Sequence, residues 1–140
     1  MTHIKRLFCR TVLVGLLAMS LPAWAGVVLV AHSGVGKIDL LTAQRIYTGK
    51  VIQVAGVSVA PVNLAVGQGV RQRFLSDYLQ QNDDTYLAYW TVRRYVGKGS
   101  PPRDLANAAE VIAYIQSTPG AIAYLDEADV PSSMSIVLRK

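Results

Sequence analysis

Two short stretches of the chain, Val27-Val28-Leu29-Val30-Ala31 and Ala121-Ile122-Ala123-Tyr124-Leu125, are apolar at every position. A strand with one wet face alternates in polarity, so unbroken runs like these need cover on both faces. Between them the hydrophobic period becomes helical. Val70, Phe74, Leu75, Tyr78 and Leu79 fall on one stripe, which predicts a helix over 70–81 with Arg73 facing Asp77 on its wet side. Asp39 is placed to cap a helix through Tyr47 that Gly49 ends. Asp83 or Asp84 starts another through Arg94. Asn107 with Glu110 three residues on resembles a capping box for a further helix, which Thr118-Pro119-Gly120 stops. Val51 to Leu64 reads as two extended segments about Gly56, and Pro61 assigns the second to an edge or a bulge. Met134 to Leu138 makes a last strand. Strands and helices alternate, so the expected fold is a three-layer α/β domain.

The first 25 residues stand apart. Lys5, Arg6 and Arg10 precede an apolar run from Thr11 to Leu21, and Ala23-Trp24-Ala25 supplies a small-x-small cleavage pattern. We read 1–25 as a secretory signal peptide cleaved after Ala25, and 26–140 as the folded domain. Cys9, the chain's one cysteine, falls in the leader, so the exported product has neither disulfide nor thiol chemistry. A bacterial periplasm is the expected address. Without the leader the basic residues drop from fourteen to eleven against nine acidic ones, a net charge of +2. They form no run or stripe, which argues against nucleic acid as a partner.

Enzymatic constellations are weak. Ser33-Gly34-Val35-Gly36-Lys37 lacks the first glycine of a nucleotide loop, and Ile38 stands where a metal-binding hydroxyl belongs. His32 is the single histidine outside the leader, too few for a zinc site without cysteine. His32 and Ser33, as neighbours on an extended chain, point to opposite faces. Asp126, Glu127 and Asp129 lack the alternating ligands of a calcium loop. The aromatic group Tyr86, Tyr89, Trp90 and Tyr95 has helical spacing and reads as core. The expectation is a non-enzyme with no cofactor and no metal.

The stretch with chemical content is Gly67-Gln68-Gly69-Val70-Arg71. A flexible glycine turn runs straight into a helix there, which aims backbone N–H groups and the positive end of the helix dipole at one spot. These five residues are the candidate anion site, mainly through backbone N–H groups, with Arg71 and Arg73 as added charge. Lys98, between Gly97 and Gly99, is placed to close over an anion from a mobile loop.

Ile46-Tyr47-Thr48-Gly49-Lys50, then Pro61-Val62-Asn63 leading into the glycine turn, Gly97-Lys98-Gly99, and Thr118-Pro119-Gly120-Ala121-Ile122-Ala123-Tyr124 follow in an order that resembles the periplasmic phosphate-binding proteins of ABC transporters, in particular short relatives retaining about one lobe. The resemblance implies a periplasmic-binding-protein-like α/β lobe with a small mixed sheet flanked by helices. It implies phosphate or another small oxyanion as ligand. Leu64 stands where phosphate binders end the strand in arginine, and Gln68 and Val70 replace hydroxyl ligands. Only Gly69 carries over as a binding residue, through its backbone. The expected function is therefore solute-binding-like, with weak or partner-assisted oxyanion binding. The alternative is a ligand-free module docking on an inner- or outer-membrane transporter, porin or sensor.

Overall fold

The computed structural model describes residues 26–140; the leader and its cleavage point lie outside the described residues. β1 (Val27–Ala31) occupies the first apolar run and is buried at every residue. Asp39 caps α1 (Leu40–Tyr47) by accepting from Thr42 N at 2.7 Å. A small hairpin, β2 (Gln53–Val54) and β3 (Val57–Ser58), precedes β4 (Ala60–Leu64). α2 (Gly69–Phe74) runs on into a π-helical turn at Leu75–Leu79, which Gln80 closes in the left-handed region. α3 (Asp83–Tyr95) starts at Asp83, and Asn82 caps it, its Oδ1 accepting from Thr85 N at 2.9 Å. β5 (Arg103–Leu105), α4 (Ala108–Ser117), β6 (Ala121–Asp126) and β7 (Ser135–Leu138) complete the order.

The main sheet has the strand order β5-β4-β6-β1-β7. β4 pairs in parallel with β5 and β6, whereas β1 runs antiparallel to β6 and β7. The sheet is therefore mixed, and its middle is buried on both sides. Tyr124 of β6 stacks on Phe74 at 3.9 Å, which seats α2 on one face, and Tyr47 of α1 meets Phe74 edge-on at 4.7 Å. α3 joins that layer through Tyr86 and Tyr89, which donate to the carbonyls of Tyr47 and Thr48. α4 contacts β4 and β6 and buries Val111 and Ile115, covering the other face. The result is a helix–sheet–helix sandwich, as the unbroken apolar runs require.

Pro61 does not mark an edge. β4 lies between β5 and β6, against the expectation of an edge or a bulge. Ala60 N donates toward β6, to Gly120 O at 2.8 Å, so the next nitrogen along the strand faces the β5 side. β5 begins only opposite Val62, so the missing Pro61 N–H leaves no ladder bond unmade.

Candidate functional site

The carboxyl ends of β4, β5 and β6 lie together at one end of the sheet. From β4 the chain leaves to α2 on one face, and from β5 it leaves to α4 on the other. Neighbouring parallel strands here send their connections to opposite faces, and the place between such strand ends, here termed the crevice, is where open α/β sheets take their ligands.

The crevice wall is the turn 65–68. Its ends are pinned: Ala65 N donates to Leu105 O at 2.9 Å, Gln68 N to Ala65 O at 3.2 Å, and Gln68 Nε2 to Ala106 O at 2.7 Å. The last bond ties the β4 turn to the β5 turn. Gly67 sits at φ +91°, a conformation that favours glycine. Gln68 carries no side-chain cap bond to the helix it precedes. Among the described residues, no acceptor takes the backbone N–H of Gly67, Gly69, Val70 or Arg71. Gly67 and Gly69 are exposed and Val70 half-buried. The neighbouring helix start is closed: Asn107 Oδ1 accepts from Glu110 N at 3.0 Å, and Glu110 Oε2 accepts from Ala106 N at 2.9 Å. The crevice therefore presents one open set of donors.

The side chains change the expected picture. Arg71 is 1% exposed and does not face the crevice mouth as free charge. Its Nε donates to Asp83 Oδ1 at 2.6 Å, and its Nη1 donates to Asp104 Oδ1 at 3.0 Å and to Leu64 O at 2.9 Å. Burial alone would lower the guanidinium pKa, but the bond to Asp83 and the nearby carboxylates outweigh it and hold the pKa above the ordinary arginine value. The group stays charged, and its charge is answered twice over. Gln68 also leaves the donor set, since Ala65 O occupies its backbone N–H. Arg73 pairs with Asp126 at 2.8 Å across 53 residues, not with Asp77. That bond holds the Asp126 carboxyl below the usual carboxylate range.

Lys98 is not brought to the turn. It follows the C-terminus of α3, whereas Asp83, at the other end of that helix, binds Arg71; twelve steps of 1.5 Å separate the helix ends by about 18 Å. His32 and Ser33 also sit at the far end, beyond the C-terminus of β1, where Nδ1 of His32 accepts from Gly34 N at 3.3 Å. A cavity of about 180 Å³ there is lined by His32, Ser33, Gln116, Ser133 and Ser135. Of the acidic loop, Asp126 and Glu127 are bound by Arg73 and Arg139. Among the described residues no helix is long and apolar enough to cross a membrane.

No protein-family model matches the chain, and no curated protein does. Solved structures do. An ABC-type phosphate transport receptor from Vibrio cholerae superposes with a TM-score of 0.63 at 15% identity, over 80% of this chain and 45% of that one. A putative phosphate ABC transporter substrate-binding protein from Clostridium perfringens, crystallised with bound phosphate, superposes with a TM-score of 0.56 at 20% identity, over 80% of this chain and 44% of that one. The chain has the fold of a single lobe of such substrate-binding proteins and spans under half their length.

Proposed function

We propose that this chain is an exported, non-enzymatic solute-binding-like lobe that holds phosphate or a similar small oxyanion weakly at the crevice between β4 and β5. The crevice carries the reading: the open N–H groups of Gly67, Gly69 and Val70 stand where the two connections part to opposite faces. A helix start contributes about 0.3–1 kcal/mol to an anion, and up to ~2 when partly buried. Micromolar affinity needs roughly 8 kcal/mol and millimolar affinity about 4. With Arg71 already bonded to two carboxylates, one lobe falls in the weaker range. Tight binding then requires a second surface to close the crevice and exclude water.

The test is an amide-resolved NMR titration with phosphate and sulfate. Saturable shifts confined to Gly67, Gly69, Val70 and Arg71, with millimolar midpoints, are expected. Absence of any saturable shift there rejects autonomous binding. For export, N-terminal sequencing of protein recovered from the periplasm is expected to begin at Gly26. A product retaining 1–25 would reject cleavage.

A second reading is favoured by one observation, the engagement of Arg71 by Asp83 and Asp104. In it the crevice no longer serves a ligand, and the lobe acts as a docking module for a membrane transporter, porin or sensor.

A further inference from the structure

The end of the molecule opposite the crevice has a different chemistry. There α3 finishes beside the loop after α1 and the start of β5. Arg93 ties these pieces together: its Nη2 donates to Gly49 O at 3.4 Å and Lys98 O at 3.3 Å, while its guanidinium lies 5.6 Å from the ring centres of Tyr89 and Trp90. Val92, Tyr95 and Val96 follow at i, i+3 and i+4, so they share one helix face, and they are 63%, 92% and 55% exposed. Tyr95 was expected in the core. Tyr86 and Trp90 of the same aromatic group are buried there as expected, but Tyr95 stands out from the last turn.

Around this apolar tip lie Lys50, Arg94 and Lys98, all exposed, and among the described residues none of them forms an ion pair. The segments 48–59, 85–103 and 117–120, which meet at this end, contain no Asp or Glu. At the crevice end, by contrast, stand Asp83, Asp104, Glu110, Asp126 and Glu127, and the cations Arg71, Arg73 and Arg139 are paired with carboxylates. Three unpaired cations thus stand together at this end, around protruding apolar side chains and with no acid in the adjoining segments, while Lys37 and Lys140 stand singly elsewhere.

The geometry points to the α3 tip as a docking surface for an anionic phospholipid bilayer. Charge complementarity selects the sign, and shape selects a soft interface. Tyr95 projects outward into solvent, so it fits a headgroup layer that can close around it better than a rigid pocket. A tyrosine ring with a polar tip suits that depth. The cations have long apolar stems, and Lys98, whose backbone is held by Arg93 between Gly97 and Gly99, has an exposed side chain that can reach lipid phosphates. A basic cluster and a small apolar wedge together give reversible, salt-sensitive binding. Docking this way turns the crevice outward from the bilayer, and the inference stands whether or not the crevice holds an oxyanion.

Vesicle co-sedimentation tests it. The full chain is expressed with export, its processed N-terminus is read by mass spectrometry, and that form is mixed with vesicles of phosphatidylcholine alone or doped with phosphatidylglycerol. Binding is expected only to the doped vesicles, and it should fall as salt rises. Arg94→Glu and Lys98→Glu should each weaken it about fivefold or more, since each basic residue near an anionic surface has a weight of that order. Tyr95→Ser should weaken it without changing the salt slope. Lys37→Glu, which makes the same change in net charge elsewhere, should leave binding within about twofold of the parent. All four positions are exposed, and unchanged circular dichroism confirms that each variant is folded. Equal binding to both vesicle types, equal loss with Lys37→Glu, or no vesicle binding would each overturn the proposal. The last outcome would leave an acidic protein as the surface this tip fits.

Discussion

Arg71 has its guanidinium held by Asp83, Asp104 and the Leu64 carbonyl, so it joins the β4 turn to the start of α3 and the middle of β5. Removing it leaves two carboxylates beside a buried space. Both carboxylates keep contact with water, at 19% and 48% exposure, so the cost stays below the ~3–5 kcal/mol of an abandoned buried charge. Arg71→Met is expected to lower unfolding stability by about 1–3 kcal/mol in urea denaturation, from the lost hydrogen bonds at the Leu64 carbonyl and the two acids. Asp104 is nearly half exposed, so Asp104→Asn should cost only about 1 kcal/mol. A near-zero effect for Arg71→Met would show that the pair does not hold the turn. Two glycines make a second contrast. Gly67 has positive φ but open space around it, so Gly67→Ala should cost about 1 kcal/mol, from backbone strain alone. Gly120 has positive φ and would drive a Cβ into the Ser58 carbonyl, so Gly120→Ala should cost about 3 kcal/mol. Denaturation midpoints of the two variants decide whether strain and collision add as stated.

Elements with a local signal were legible in the sequence. Asp39 caps α1 as read, Asn107 and Glu110 begin α4, and the apolar run at 121–125 is β6. β5 was not legible, since Arg103-Asp104-Leu105 is three residues long with two charges and no period to detect. It is a strand because β4 offers it a parallel ladder. The π-helical turn at Leu75–Leu79 is equally silent, as it keeps the expected residues Leu75 and Tyr78 inside. One turn invites improvement. Ala55 and Gly56 link β2 to β3 with φ of 49° and 80°, the left-handed pair that favours Asn-Gly. Ala55→Asn should therefore stabilise the domain by about 0.5 kcal/mol, read as a raised melting temperature. A fall in melting temperature would contradict the strain argument. Beneath the crevice, Tyr124 Oη accepts from Leu64 N at 3.0 Å and donates to Asn63 Oδ1 at 3.2 Å, while Asn63 donates to Tyr86 Oη at 3.3 Å. This network fixes the end of β4 from below. Tyr124→Phe leaves a buried N–H unanswered and should cost about 1–3 kcal/mol.

Across the whole molecule, the site depends on topology, which explains how little of it could be read in advance. The glycine turn is local and was visible. The acids that take up Arg71 lie 12 and 33 residues away, and the partner of Arg73 lies 53 residues away, so no spacing rule exposes them. The crevice itself exists only because α2 and α4 leave to opposite faces. The same folding gathers tyrosines between the layers, with a consequence for pH. Burial pushes the Tyr47 phenol well above its ordinary value, and Tyr86 and Tyr124 are raised for the same leading reason. A phenol raised on folding keeps its full contribution below the unfolded value near 10 and loses it as pH climbs through the raised value. Each such group can remove up to about 1.4 kcal/mol of stability per pH unit in that window. Because the three titrate against one packed interior, their losses should fall together. Urea midpoints should be flat from neutral pH to about 9 and then drop steeply, and tyrosinate absorbance should rise together with the loss of helical circular dichroism. Tyr124→Phe, though less stable at neutral pH, should show a shallower alkaline fall because it has one proton fewer to lose. Buried tyrosinate forming while the helical signal stays intact would mean that the interior admits charge, and the account of a dry tyrosine layer beneath the crevice would fail.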